Sequence, residues 1–259
     1  MHIERNLNEL FASYEEATDG DQPITGWIST LTDAEVRVLI TSADEGKLRA
    51  QHLLSLCYAY GHGVPQSWES CFEWTKKAAE GGEVRALLNV GNAYYVGRGV
   101  AQNYREARRW LNEACEHEIP DAQLLLGLME LRGEGGRKDE FEAHTLLLNA
   151  AWAGIEHAQY LVALMYAKGD GCNLDQYEAA RWMLRAAAAG YSAALVYAKS
   201  ILGRELTAEE AAEELKVFEP SIQWVISPEN DPEGKGIRQM DVDKLVEKMK
   251  AYETHDDDE

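Results

Sequence analysis

Small and apolar residues recur along the chain at i, i+4 and i+8, as in Ala86, Val90 and Tyr94 and again in Ala158, Val162 and Tyr166. That spacing lines them along one face of a helix and predicts a first helix, A, in each unit. Each such run ends in Gly-x-Gly, a pair suited to a turn that must visit positive φ and to a helix closed by glycine. A second run then opens, with Trp110, Leu111 and Ala114, or Trp182, Met183, Ala186 and Ala187, again at helical spacing, and predicts helix B. Glycine closes most units, at Gly46, Gly82, Gly154 and Gly190, with Glu118 in the same place once. Each unit is therefore expected to be one helical hairpin.

The hairpins keep a single period of 36 residues. Ala50, Ala86, Ala122, Ala158 and Ala194 stand 36 apart, as do Gly61, Gly97, Gly133 and Gly169, with Gly63, Gly99, Gly135 and Gly171 two places on. Trp74, Trp110 and Trp182 share the spacing, Leu146 filling the missing slot, and Ala78, Ala114, Ala150 and Ala186 follow four residues later. Tyr58, Tyr94 and Tyr166 recur likewise, with Glu130 the exception. Small residues let neighbouring helices approach closely, and tryptophan fills the space between layers. The fold expected is all-α, an α/α solenoid of helix-turn-helix units piled side by side.

The pattern Ala-x-x-x-Leu-(Gly)-x-x-Tyr-x-x-Gly-x-Gly-Val, followed by a helix with Ala-x-x-Trp-x-x-x-Ala-Ala, resembles the Sel-1-like repeats, relatives of the tetratricopeptide repeats. The second copy carries it best, through Ala86, Val90, Gly91, Tyr94, Gly97, Gly99, Val100, Ala107, Trp110 and Ala114. The likeness covers residues 43–203. The third copy departs most, with Glu130 for tyrosine, Gly136 for valine and Leu146 for tryptophan, which puts its turn geometry in question. The resemblance implies a right-handed superhelix with helix A on the concave side and helix B on the convex side. A cysteine-rich branch of the family ties its helices with disulfides and is associated with weak binding of penicillin-like ligands. This chain departs from it: Cys115 stands where one paired cysteine is expected, but Gln123 follows eight later.

A stack of hairpins leaves an apolar face at each end, so terminal units are expected to be atypical. Residues 1–46 read as a degenerate capping hairpin, with Ile3, Leu7, Leu10, Phe11 and Tyr14 on one helix and Val36, Leu39, Ile40 and Ala43 on the other. Gly20 and Pro23 mark the loop between them, and Thr32-Asp33-Ala34-Glu35 opens the second helix. Residues 47–203 are the repeats. Residues 204–254 read as capping helices and a loop. Within them Thr207 and Glu210 form a capping box, 227–234 is irregular, and an amphipathic helix near 241–253 buries Val242, Leu245, Val246 and Met249. Residues 255–259 are an acidic tail.

Composition changes this picture mainly through charge. The chain of 259 residues has a net charge of −20, of which residues 205–259, with 17 acidic and 6 basic residues, hold −11. Nucleic acid and anionic membrane surfaces are thereby disfavoured as partners, since both draw on clustered Lys and Arg. The start, Met1 to Leu7, has no basic-then-apolar leader, and no window reaches the roughly 18 apolar residues that span a bilayer, so a cytoplasmic location is expected. Cys57, Cys71, Cys115 and Cys172 lack metal or redox spacing and are expected to be buried free thiols.

No catalytic frame emerges. Gly97-Arg98-Gly99-Val100-Ala101-Gln102 lacks the third glycine of a dinucleotide fingerprint, and Gly234-Lys235-Gly236 lacks the phosphate-loop frame. No two histidines make an i, i+4 metal pair, and His52, His62 and His157 read as surface or groove residues. Neither a cofactor nor a metal is implied.

With Ala50, Leu54 and Tyr58 facing the core, residues 52, 56 and 59 and their images point the opposite way, toward the inner curve. They are His52, Leu56 and Ala59; Leu88, Asn92 and Tyr95; Leu124, Leu128 and Leu131; Tyr160, Leu164 and Ala167. Arg49, Arg85, Asn89 and Arg132 add a polar rim. The stripe is unexpectedly apolar, so either a partner protein or peptide covers it, or neighbouring A helices or the C-terminal segment do. The function expected is a non-catalytic adaptor or scaffold binding a partner in the concave groove, through His52, Leu56, Arg85, Leu88, Asn92, Tyr95, Leu124, Leu128, Leu131, Tyr160 and Leu164. The alternatives are an immunity or inhibitor protein whose acidity steers it onto a basic toxin, and a hydrolase using groove carboxylates.

Overall fold

In the computed structural model, residues 6–19, 24–202 and 206–218 are described, and these form helices joined by short turns. The opening helices are α1 (Leu7–Asp19), α2 (Ile24–Ile28) and α3 (Asp33–Asp44). The A/B pairs follow as α4 (Leu48–Tyr60) with α5 (Trp68–Glu80), and α6 (Val84–Val96) with α7 (Tyr104–Glu116). Next come α8 (Pro120–Arg132) with α9 (Glu140–Trp152), and α10 (Glu156–Lys168) with α11 (Gln176–Ala188). The last are α12 (Ser192–Leu202) and α13 (Ala208–Phe218). The described residues form two compact units: unit 1 takes those up to Ala122 together with Glu134–Gly136, and unit 2 takes Gln123–Gly133 and those from Arg137 to Phe218. Consecutive helices pack as antiparallel hairpins within each, so the molecule is a solenoid of helical repeats.

The buried columns are those with the 36-residue period. Ala50, Ala86, Ala122, Ala158 and Ala194 are all fully buried, and Trp110 and Trp182 lie inside, whereas Trp74 is half-buried beneath the Lys77 ammonium. In unit 1 the core gathers Leu39, Leu53, Leu54 and Cys57 with Leu10, Tyr14 and Trp27 from the opening helices. In unit 2 it gathers Leu147, Val162, Met165, Trp182 and Met183 around the small residues. Burying each of these large side chains contributes about 1.5–3 kcal/mol.

Polar residues fix where the helices begin. Ser67, Asn103, Asp139 and Asp175, also 36 apart, cap the B helices, their side chains accepting from backbone N–H groups two or three residues on. Their own backbone N–H groups donate back to the carbonyls of Tyr58, Tyr94, Glu130 and Tyr166, closing each A-to-B turn at 2.9–3.1 Å. Each such cap is worth about 1 kcal/mol. A second device joins layers at two places: Gln51 donates to the Ala43 carbonyl, bridging α4 to α3, and Gln159 to the Ala151 carbonyl, bridging α10 to α9.

The second glycine of each Gly-x-Gly has a reason beyond its turn. A Cβ on Gly99 would lie 2.0 Å from the Trp68 carbonyl oxygen, and one on Gly171 would lie 1.9 Å from that of Glu140. The turn therefore presses its backbone onto the start of the preceding B helix, which only glycine permits. In the third copy Gly133 and Gly135 keep φ at 68° and 74°, close to the other copies, so the turn survives its substitutions. Glu118, at φ 56°, takes the left-handed position that Gly46, Gly82, Gly154 and Gly190 fill elsewhere.

Two features differ from the sequence reading. The link between α1 and α3 contains the short helix α2, whose Trp27 and Ile28 are buried in the unit 1 core. The cysteines are free, but only Cys57 is buried, the other three being half-buried. Thr207 does cap α13, accepting from the Glu210 backbone N–H while its own N–H donates to the Glu210 carboxylate. Ile3, Gly20, Pro23, the irregular 227–234 stretch, the 241–253 helix and the acidic tail lie outside the described residues.

Candidate protein-binding surface

In unit 1 the A-helix face differs from expectation at its first layer. His52 is 2% exposed, because α1 lies against α4 and covers it: the Tyr14 hydroxyl meets His52 Nε2 at 3.2 Å, and the two rings meet edge to face. Burial drives the His52 pKa down to about 4, and the nearby Arg85 adds to the effect. The expected rim arginines are drawn into the same contact. The Arg85 guanidinium lies 5.2 Å over the Tyr14 ring, while Arg49 pairs with Glu15 and lies 5.5 Å over Phe11. His52 is thus no groove residue, and Arg85 is occupied by α1. Pattern alone treated the first copy as equivalent to the others, although an end layer is the one that the opening helix must cover.

The remaining unit 1 positions stay accessible. Leu56, Leu88 and Tyr95 are half-buried, Asn89 and Asn92 are exposed, and Ala59 is buried. A cleft of 160 Å³ opens among α4, α5 and α6, bordered by Leu56, Phe72, Asn89, Asn92 and Arg98. Tyr60 and Val96 stand exposed at its edge, and the Arg98 guanidinium is stacked 4.7 Å over Trp68. Tyr95 is steadied by Tyr104, their ring centres 5.5 Å apart, while Gln102 donates both to the Tyr95 carbonyl and to the Tyr104 hydroxyl. The cleft itself sets Leu56, Phe72 and Val96 beside two exposed carboxamides able to pair with a peptide backbone.

In unit 2 the expected residues Leu124, Leu128, Leu131, Tyr160 and Leu164 are all half-buried, and Ala167 is buried. Leu124, Leu131, Tyr160 and Leu164 pack against the unit's own core, so the helices of this unit bury part of the apolar stripe themselves. Tyr191, at the entrance to α12, lies 5.4 Å from the Tyr160 ring and stacks on His157 at 5.6 Å. Val196 is 68% exposed and falls 36 residues after Tyr160. It continues the stripe, and its column was a usable signal that a reading confined to four copies passes over.

Nucleophilic chemistry finds little support among the described residues. Burial pushes the Cys57 thiol up to about 12, and raises Cys71 and Cys172 as well, so these sulfurs stay protonated at neutral pH.

Comparison with known proteins agrees with this architecture. The chain is similar to a Sel1 repeat protein from Oxalobacter formigenes, at 24% identity over 83% of this chain and 87% of that one, with a TM-score of 0.63. It is also similar to a protective antigen present in uropathogenic Escherichia coli strains that displays an SLR fold, at 22% identity and a TM-score of 0.64. That match covers 95% of this chain but 54% of the antigen, so the chain spans about half of its length. Both likenesses speak to the fold. No curated protein matches the chain by sequence. The Sel1 repeat profile matches four successive stretches, 48–83, 84–118, 120–154 and 156–191, which together exceed half the chain and coincide with the pairs from α4/α5 to α10/α11; the chain belongs to the Sel1 repeat family.

Proposed function

We propose that this chain is a non-catalytic adaptor that holds a segment of a partner protein on its A-helix faces. Sel1 repeat proteins are generally protein-interaction scaffolds, and the repeat is typically non-enzymatic. The observation that carries the reading to particular residues is the unit 1 cleft, where half-buried Leu56 and exposed Val96 stand beside the Asn89 and Asn92 amides, with Leu88 and Tyr95 half-buried on the same helix α6. Apolar anchors bind a partner's side chains, and carboxamides satisfy the peptide groups that binding desolvates. In unit 2 the half-buried Leu128, Tyr160 and Leu164 with the exposed Val196 supply apolar contact area of the same kind.

The test is co-purification with the tagged full-length chain, followed by mass spectrometry, against a variant carrying Tyr95→Glu, Leu128→Glu and Tyr160→Glu. The variant is expected to keep its helical circular dichroism and to lose the proteins recovered by the parent. Unchanged recovery overturns the assignment of these faces.

A further inference from the structure

Unit 2 carries a larger cleft, of 930 Å³, on its B-helix side, bounded by α9, α11 and the 169–175 turn. Trp182 lies within it, and Phe141, His144, Leu148, Trp152 and Tyr166 surround the opening. Trp152 meets Trp182 edge to face at 4.8 Å, and the Arg185 guanidinium lies 4.5 Å from both ring centres. Yet Trp152 remains 58% exposed and Phe141 72% exposed. A large aromatic already fixed by its neighbours loses little freedom when a partner covers it, which suits it to anchor an interface.

The repeat supplies its own control. In the columns of Phe141, Leu148 and Trp152, α5 carries Glu69, Lys76 and Glu80, α7 carries Arg105, Asn112 and Glu116, and α11 carries Tyr177, Leu184 and Ala188. Stacking the hairpins of α5 and α7 therefore does not require apolar side chains at these places, whereas Leu184 of α11 is buried in a core. In α9 they stand at i, i+7 and i+11, one straight stripe of about 16 Å along the helix. A ridge of that length and spacing matches the apolar face of a second helix about three turns long.

The charges nearby choose among occupants. Asp175 and Glu178 line the cleft, and Asp170 is close enough to act on the Cys172 thiol. Of the cations on this side, Arg181 is bound to Glu178 at 2.7 Å, Lys138 to Glu140 at 2.6 Å, and Arg185 is stacked on the two indoles. The rim thus keeps the negative charge of Asp170, which Lys138 also faces, and of Asp175, whose Oδ1 caps α11 by accepting from the Tyr177 and Glu178 N–H groups. A second copy, at net charge −20, and the chain's own acidic 205–259 stretch both bring like charge.

We propose that this cleft is a docking surface separate from the A-helix faces, and that its occupant is an amphipathic helix of a partner protein. The helix seats apolar anchors against Phe141, Leu148 and Trp152 and turns a basic flank toward Asp170 and Asp175.

A displayed library of random 20-residue peptides, selected on the full-length chain and counter-selected on a Phe141→Glu/Trp152→Glu variant, tests this directly. Enrichment of sequences with apolar residues at i, i+3 or i+4 and i+7 beside Lys or Arg is expected. Synthetic peptides of that kind should lose at least about ten-fold in affinity on the double variant and several-fold on Trp152→Ala, and should be indifferent to Tyr95→Glu. Circular dichroism checks that the variants stay helical; if the double variant does not, Trp152→Ala alone carries the comparison. Selection of Pro-rich extended or acidic peptides, or of none that depends on Phe141 and Trp152, overturns the proposal. So does self-association of the parent chain that the variant abolishes.

Discussion

Helix α7 turns Arg105, Arg109, Asn112, Glu113 and Glu116 to its exposed side, whereas α9 exposes Phe141, Glu142, Thr145, Asn149 and Trp152. Both bury the same inner column, Ala107, Trp110, Leu111 and Ala114 in one and Ala143, Leu146, Leu147 and Ala150 in the other. Inner columns are constrained by the close approach of neighbouring helices and tolerate only small or well-fitted side chains. Outer columns are less constrained: where α9 carries Phe141 and Trp152, α7 carries Arg105 and Glu116. The same reasoning separates two tryptophans that touch each other, Trp182 at 1% exposure and Trp152 at 58%.

That contrast breaks most readily under substitution. Trp182→Ala should cost about 3–5 kcal/mol in urea unfolding, through lost burial and the cavity left behind, while Trp152→Ala, losing its contacts with Trp182 and Arg185, costs about 1–2 kcal/mol. Comparable losses at both sites would erase the distinction between inner and outer columns. Gly171→Ala should cost at least about 3 kcal/mol, because its Cβ meets the Glu140 carbonyl oxygen at 1.9 Å and its φ is +69°. A tolerated alanine there would mean that the turn need not press on the preceding helix.

His52 sharpens the comparison between the covered first layer and the open ones. Its pKa falls from 6.5 to about 4 on burial, so the folded chain binds fewer protons than the unfolded chain between those values. This contribution to stability is complete above about pH 6.5 and is lost as pH falls toward 4, by about 3 kcal/mol in total. His52→Leu, which installs the residue of Leu88 and Leu124, should reduce the drop in the urea midpoint between pH 7 and 4.5. An identical drop in the variant would place the acid sensitivity elsewhere. The smallest effect is expected at the closing turns: Glu118→Gly relieves a φ of 56° and should stabilise by about 0.5–1 kcal/mol, read as a rise in thermal midpoint.

The hairpins, their Gly-x-Gly turns and the alanine and tryptophan columns were legible because each recurs 36 residues on, and repetition averages away local exceptions. The column of B-helix caps, Ser67, Asn103, Asp139 and Asp175, was equally periodic, but its chemistry varies among three residue types and so hides from a search for identity. Helix α2 has no periodic image, and with five residues it is too short to show an amphipathic pattern. On the A-helix faces, Leu56, Leu88, Leu124, Leu128, Tyr160 and Leu164 are half-buried where the pattern set them opposite the core, whereas His52 and Arg85 are engaged by α1.

What the sequence determined by itself was therefore everything governed by local geometry: 3.6 residues per turn, the backbone freedom of glycine, and a 36-residue unit that pairs its helices. What only the tertiary structure decided was which outward side chains are covered and by what. Tyr14 meets His52 from 38 positions away, and Trp152 meets Trp182 from 30. Burial depends on distances through space between segments remote along the chain, and no periodicity within a segment encodes them.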